Sequence, residues 1–297
     1  MNTVPLTAPA VPANPFRYHT RDDQVVIRGR RLPLGELVDS KLFDPAHVDT
    51  LRQQVATATP YRHLVADGWF NPELLELAHE EFSVLHDNQW TEWASHYQKI
   101  YRSPPKQALG PATTLYFSLV NSGWFVELLS YVMDVPQLMA DAQLFGGGLH
   151  ESRTGGRFSI HRDFDRHPQT GLQNEMSMMT YLNKGWDPAW GGALELWDGE
   201  KKQALRHIQP EFNRIAVVSH GPVSFHGHPE PMKLPDGVTR RSLSSYYYSN
   251  RSAPGLQVEP PQSTQFLIWK KSERLREAAR NVAPPILWNA LKRAFDR

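Results

Sequence analysis

Cysteine is absent from all 297 residues, which excludes disulfides, thiolate metal sites and cysteine nucleophiles. Any metal must therefore be held by His, Asp and Glu. An excess of one charge is missing too: 32 Lys and Arg stand against 31 Asp and Glu, for a net charge of +1. Nothing in that balance marks a nucleic-acid partner, and none is expected. No run approaches the roughly 18 to 20 consecutive apolar residues that a bilayer span requires. The opening MNTVPLTAPAVPANP has neither a basic n-region nor an apolar h-region. These absences imply a cytoplasmic globular protein, and the chain is long enough to bury a sizeable core.

The pattern changes along the chain. Residues 1–15 are rich in Pro, Ala and Thr without apolar periodicity, and read as a flexible tail. QVVI and RRLPL predict two short extended runs turned at Gly29, followed by helix-like spacing near residues 36–57. Asn71-Pro72-Glu73 is a helix start, with Asn as N-cap and Pro at the first helical position. Residues 111–140 read as largely helical. From about residue 141, short alternating runs separated by Gly, Pro and Asn (LFGGGLH, GRFSIHRD, SMMTYLN, GGALELW, NRIAVVS, PVSFHG, RRSLSSYYYS) predict a β-sandwich or jelly roll.

In GRFSIHRDFD, strand alternation places His161 and Asp163 on one face and Phe158 and Ile160 on the other. A later run, PVSFHGHPEP, offers His226 or His228 as a third ligand. Two imidazoles and one carboxylate make the facial triad of non-haem Fe(II), which keeps coordination positions open for other ligands. The basic strand TRRSLSSYYYS follows and puts Arg240 and Ser242 on one face. A guanidinium offers a planar two-pronged grip on a carboxylate, and a neighbouring hydroxyl adds a hydrogen bond.

LFGGGLH, GGRFSIHRDFDRHPQTGL, YLNKGWDPAWGGALELWD, FNRIAVVSHGPVSFHGHPEPM and RRSLSSYYYS together resemble the bacterial prolyl 4-hydroxylase-like branch of the 2-oxoglutarate/Fe(II) dioxygenases. TPYRHLVADGWFNPELLELAHEEF upstream resembles that branch too, so the likeness covers roughly residues 60–250. It implies a mainly β, α+β fold: a double-stranded β-helix (jelly-roll, cupin-like) core with supporting helices. It implies iron at His161, Asp163 and His226, preferring His226 to His228. It implies 2-oxoglutarate at Arg240 with Ser242, preferring Arg240 to Arg241. The implied reaction is hydroxylation of an unactivated C–H with release of succinate and CO2, using Fe(II), 2-oxoglutarate and O2, with ascorbate as an optional reductant. A prolyl residue, a small metabolite and a lipopolysaccharide-type sugar are the substrate classes left open. The rival from another class is a catalytically silent jelly-roll binding module, whose mark would be a broken triad. Two departures stand out: Ser152 occupies the place where such enzymes often carry a Tyr, and Gln173-Asn174-Glu175 follows TGL where relatives carry a basic pair.

The remaining expectations are coarser. Residues 16–260 are read as the oxygenase domain, with its β core at about 141–250, and residues 261–297 as a basic helical C-terminal segment. From Lys270 to Arg297 eight Lys and Arg face three acidic residues. PPILWNALKRAFDR adds an apolar stripe, so peripheral contact with the inner membrane is one reading of that helix and packing on the domain the other. His150 and His220 are read as structural or surface residues, Gly191-Gly192 as a turn, and Trp186 and Trp190 as core residues or, from their loop, a cover for the mouth of the site.

Overall fold

The computed structural model describes residues 10–84, 90–104, 108–200, 202–250, 263–282 and 288. Apart from Trp288, the PPILWNALKRAFDR helix lies outside the described residues, as do residues 1–9 of the tail. Val11 already packs against the main core. Among the described residues no helix is long and apolar enough to cross a membrane.

The N-terminal half forms as its local signals dictate. Strands β1 (Gln24–Ile27) and β2 (Arg30–Pro33) make a hairpin turned at Gly29, whose φ of +79° suits glycine. Helix α1 (Pro45–Ala56) is capped by the Asp44 carboxylate, and strand β3 (His63–Asp67) follows. Helix α2 (Pro72–Glu81) begins where expected: the Asn71 side chain accepts from the Glu73 and Leu74 amides at 2.9 and 3.4 Å. After the hairpin of β4 (Thr91–Ala94) and β5 (Gln98–Arg102) come α3 (Pro111–Val120) and α4 (Gly123–Met133). Strand β6 (Met139–Ala140) closes this part.

The remaining strands are β7 (Gly148–Ser152), β8 (Arg157–Arg162), β9 (Gln173–Tyr181), β10 (Leu194–Asp198), β11 (Gln203–Ile208), β12 (Arg214–Ser219), β13 (Ser224–His228) and β14 (Arg240–Ser249). Strand β15 (Gln265–Phe266) and helix α5 (Lys271–Val282) end the described chain. All strand pairings are antiparallel, and the path runs β11-β10-β13-β8-β5-β7-β14-β9-β12-β3. The sheet is nearly closed into a barrel, the jelly-roll core expected from the sequence. Among the described residues, its two runs, β11-β10-β13-β8 and β7-β14-β9-β12-β3, are bridged by β5. That strand pairs with β8 through Gln98 and Lys99, then with β7 through Tyr101 and Arg102.

Period-two alternation divides the side chains between two interiors. From β9, β12 and β14, Met176, Met178, Ile215, Val217, Leu243 and Tyr247 pack against the helices. Their alternates Tyr181, Ala216 and Val218 pack between the two runs, against Leu194, Leu196 and Ile208. With both faces of β14 covered, all but one of its ten residues are buried. Strands β3, β4, β5 and β15 add to the sheet from outside the strand runs read in the sequence. Glu81 ties the helices together from inside: its carboxylate accepts from the Ala112 and Thr113 amides and the Thr113 hydroxyl, each at 2.8 Å, at the start of α3. Glu81→Ala strands three buried donors and should lower the unfolding free energy by about 3 kcal/mol. Urea denaturation checks this; an unchanged midpoint would show that the carboxylate carries no such share.

Candidate active site

Strand alternation brings the predicted ligands to one point. His161 and His226 are directly opposed across β8 and β13, and their rings lie 4.6 Å apart. Asp163 follows immediately after β8. One donor atom from each of His161, Asp163 and His226 falls within 4.8 Å of the other two, and all three residues are buried. Histidine Nε2 lies 3.4 Å from Asp163 for His161 and 3.7 Å for His226. Each imidazole is turned by its own strand: Nδ1 lies 2.8 Å from the Ser159 carbonyl in His161, and 3.2 Å from the Ser224 carbonyl in His226. A carbonyl only accepts, so each Nδ1 carries the proton and each Nε2 presents a lone pair towards Asp163. Phe158, expected on the opposite face, instead stacks on His161 at 3.8 Å and lines the same cavity, because the β8–β13 register shifts between the two residues.

The cavity around these groups contains about 620 Å³ of free space, some of it open to solvent. Arg240 and Ser242 line it, as the alternation of β14 requires, and Ser152 lies opposite Arg240 on β7. Arg240 is 7% exposed. Its Nε donates to the Gly192 carbonyl at 2.8 Å, and its guanidinium lies over the Tyr181 ring. Arg241 points the other way, where it binds Glu151 at 3.1 Å and the His79 carbonyl at 3.2 Å. His228 also lines the cavity, but it is not one of the converging three. A register shift between His226 and His228 separates their positions.

Several expectations need correction. His220 is no surface residue: it is buried, its Nε2 lies 3.1 Å from Asp163, and its ring is parallel to that of His226. It sits just past the end of β12, and no periodicity ties that position to β8. His150 lines the cavity from β7. Tyr246 donates to Asp163 at 3.1 Å, so one member of the Tyr246–Tyr248 run belongs to the site. Trp186 and Trp190 pack with Met232 and Leu234, as the core reading expects, and neither lines the cavity; Trp186 Nε1 donates to the Gly191 carbonyl at 3.1 Å. The Gly191-Gly192 turn is part of the arginine's seat. A Cβ on Gly192 would stand 2.4 Å from Met232 Sδ and 3.2 Å from Arg240 Cδ. None of Gln173, Asn174 and Glu175 reaches the cavity; Asn174 instead holds the Phe164 carbonyl at 2.9 Å. Ile100 and Arg102 reach it from β5, a strand with no motif to announce it.

Burial sets the charge states. Burial works against ionisation of Asp163, yet its contacts with His161 and His220 hold it well below the usual carboxylate range. Burial pushes His226 down to about 3, and His150 likewise to about 3, there with help from the charges of Arg102 and Arg240. His228 is driven down by burial and by Arg240. A neutral His226 beside an ionised Asp163 is the state in which these two side chains bind a metal ion.

Residues 147–248 match the family model of the 2OG-Fe(II) oxygenase superfamily. Prolyl 3-hydroxylase OGFOD1 of Mus musculus is 31% identical over 91 residues, which is 29% of this chain and 16% of that protein. The chain thus matches about a sixth of the length of that curated relative. A prolyl hydroxylase from Trichoplax adhaerens, solved with a hypoxia inducible factor peptide fragment, superposes with a TM-score of 0.51 at 14% identity. That match covers 68% of this chain and 89% of the other. A Pseudomonas putida prolyl-4-hydroxylase gives a TM-score of 0.48 at 16% identity, over 68% and 98% of the two chains.

The depressed histidine His150 makes a signed prediction. It is neutral when folded, down to about pH 3, but takes a proton near pH 6.5 once unfolded. Between these values the unfolded chain binds more protons, so stability falls as pH drops. Going from about pH 6.5 to 4.5, His150→Gln should lose about 2 kcal/mol less than the native protein. Urea unfolding at the two pH values measures this, and parallel losses would show that His150 is charged inside the cavity.

Proposed function

We propose, from the premise that residues 147–248 form a 2OG-Fe(II) oxygenase-superfamily domain, that the protein is a 2-oxoglutarate-dependent dioxygenase hydroxylating an unactivated C–H bond. The observation that carries this reading is the joint presence, in one cavity, of the His161–Asp163–His226 cluster and the buried guanidinium of Arg240. The donor set suits Fe(II): two imidazoles with Nε2 free and an ionised carboxylate, all nitrogen and oxygen, leaving positions for further ligands. Bound there, Fe(II) would supply the redox chemistry that couples decarboxylation of 2-oxoglutarate to succinate and CO2 with oxygen insertion into the substrate.

The chain's own residues do the rest. Arg240 binds the far carboxylate of 2-oxoglutarate with Ser242 beside it, and its aim is set by the Gly192 carbonyl and the Tyr181 ring. His220 and Tyr246 keep Asp163 oriented and charged. Ile100, Met179 and Leu194 line the same cavity and limit water around the reacting groups. The prolyl-hydroxylase relatives support a prolyl residue as the first substrate class to test.

His161→Ala, Asp163→Ala and His226→Ala should each abolish Fe(II) binding, read as the visible absorption band that forms when Fe(II) and 2-oxoglutarate are added anaerobically, while far-UV circular dichroism stays native. Arg240→Ala should keep the metal yet weaken 2-oxoglutarate at least tenfold, since cutting one partner of a desolvated charge pair costs about 2 to 5 kcal/mol. Arg241→Ala should leave 2-oxoglutarate affinity intact. The ligand assignment fails if His228→Ala, and not His226→Ala, loses the band. Metal and 2-oxoglutarate binding without O2-dependent turnover on any prolyl, sugar or metabolite substrate would favour the silent binding module.

A further inference from the structure

We infer that Arg102 is the recognition residue for an oxyanion on the substrate, so that the molecule hydroxylated at this site carries a carboxylate or phosphate group. This rests on the functional reading above, because it takes Arg240 as already used by 2-oxoglutarate. Arg102 is the last residue of β5, the strand that crosses from one run of the sheet to the other. From that corner it lines the same cavity as the triad. Its guanidinium lies 5.6 Å from the Phe158 ring, which itself stacks on His161, and 5.6 Å from the Trp93 ring on β4. Trp93 is 47% exposed, so it offers an apolar platform on the solvent side of the cation.

The charge on Arg102 is unanswered. Other partly buried arginines have carboxylates: Arg30 meets Glu80 at 2.5 Å, Arg52 meets Asp134 at 2.7 Å, Arg214 meets Asp67 at 2.7 Å and Arg241 meets Glu151 at 3.1 Å. Arg102 forms no ion pair among the described residues, and its Nε is buried without a hydrogen-bond partner. The carboxylate that lines the cavity, Asp163, is already engaged by His220 and Tyr246. A guanidinium held between aromatic faces keeps its edge donors free, in the planar geometry that a carboxylate or phosphate accepts. Once 2-oxoglutarate neutralises Arg240, one cation remains, and a substrate oxyanion is its complement.

Inorganic phosphate is the probe, titrated calorimetrically into metal-free full-length protein at saturating 2-oxoglutarate. The native protein should show saturable binding. Arg102→Gln should weaken it at least tenfold, Arg102→Lys should retain part of it, and Arg241→Ala should leave it unchanged. Acetate in place of phosphate sorts a carboxylated from a phosphorylated substrate by which binds more tightly. No saturable binding of either ion to the native protein, equal affinity in native and Arg102→Gln, or loss in Arg241→Ala instead, overturns the assignment. A thermal melt of Arg102→Gln excludes unfolding as the cause of any loss. Because the titration is made without iron, failure of the triad to bind Fe(II) would sink the oxygenase reading and leave this result standing on its own.

Discussion

A carboxylate buried between sheets must be surrounded by donors or it loses its charge, and Asp163 sets that condition for the whole site. At 8% exposure it cannot rely on water. It is instead met by the Tyr246 hydroxyl from β14 and by His220 from the end of β12, while the rings of His161 and His226 close around it. Residues on or beside β8, β12, β13 and β14 must converge on two oxygen atoms. Antiparallel pairing provides this, because β8 and β13 are neighbours while β14 and β12 approach from the opposite run.

The same cavity carries positive charge, and its arrangement follows from strand β14. Both faces of that strand are covered, so alternation assigns each residue to one interior or the other. Leu243 and Tyr247 go to the helices, while Arg240, Ser242, Ser244 and Tyr246 go to the cavity. A slip of one residue would bury Arg241 there in place of Arg240 and break its bond with Glu151. The Gly191-Gly192 turn, backed by Trp186 and Met232, then fixes the height of the guanidinium through one carbonyl. Strand β5 adds the second cation where it joins the two runs of the sheet.

What could be seen in advance divides along the range of the interactions. Hairpin β1–β2, the Asn71 cap and the H-x-D pair at the end of β8 are each decided within a few residues, by turn chemistry, an orphan amide or residue spacing, and all were legible. The choice between Arg240 and Arg241 also followed from alternation once β14 was known to be a strand. His220, His150 and Arg102 were not legible as site residues. They carry no local pattern, and their place depends on which strands pair.

By itself, the sequence determined the residue types available for chemistry, the mainly β character of the second half and the spacing that puts His161 beside Asp163. Periodicity and cap chemistry are properties of neighbouring residues, so they survive without a fold. Only the tertiary structure decided that His220 and Tyr246 hold Asp163, that Trp186 and Trp190 stand behind Arg240, and that β5 brings Arg102 into the cavity. Those contacts join residues tens of positions apart, and register between strands, which no local pattern encodes, determines which of them meet.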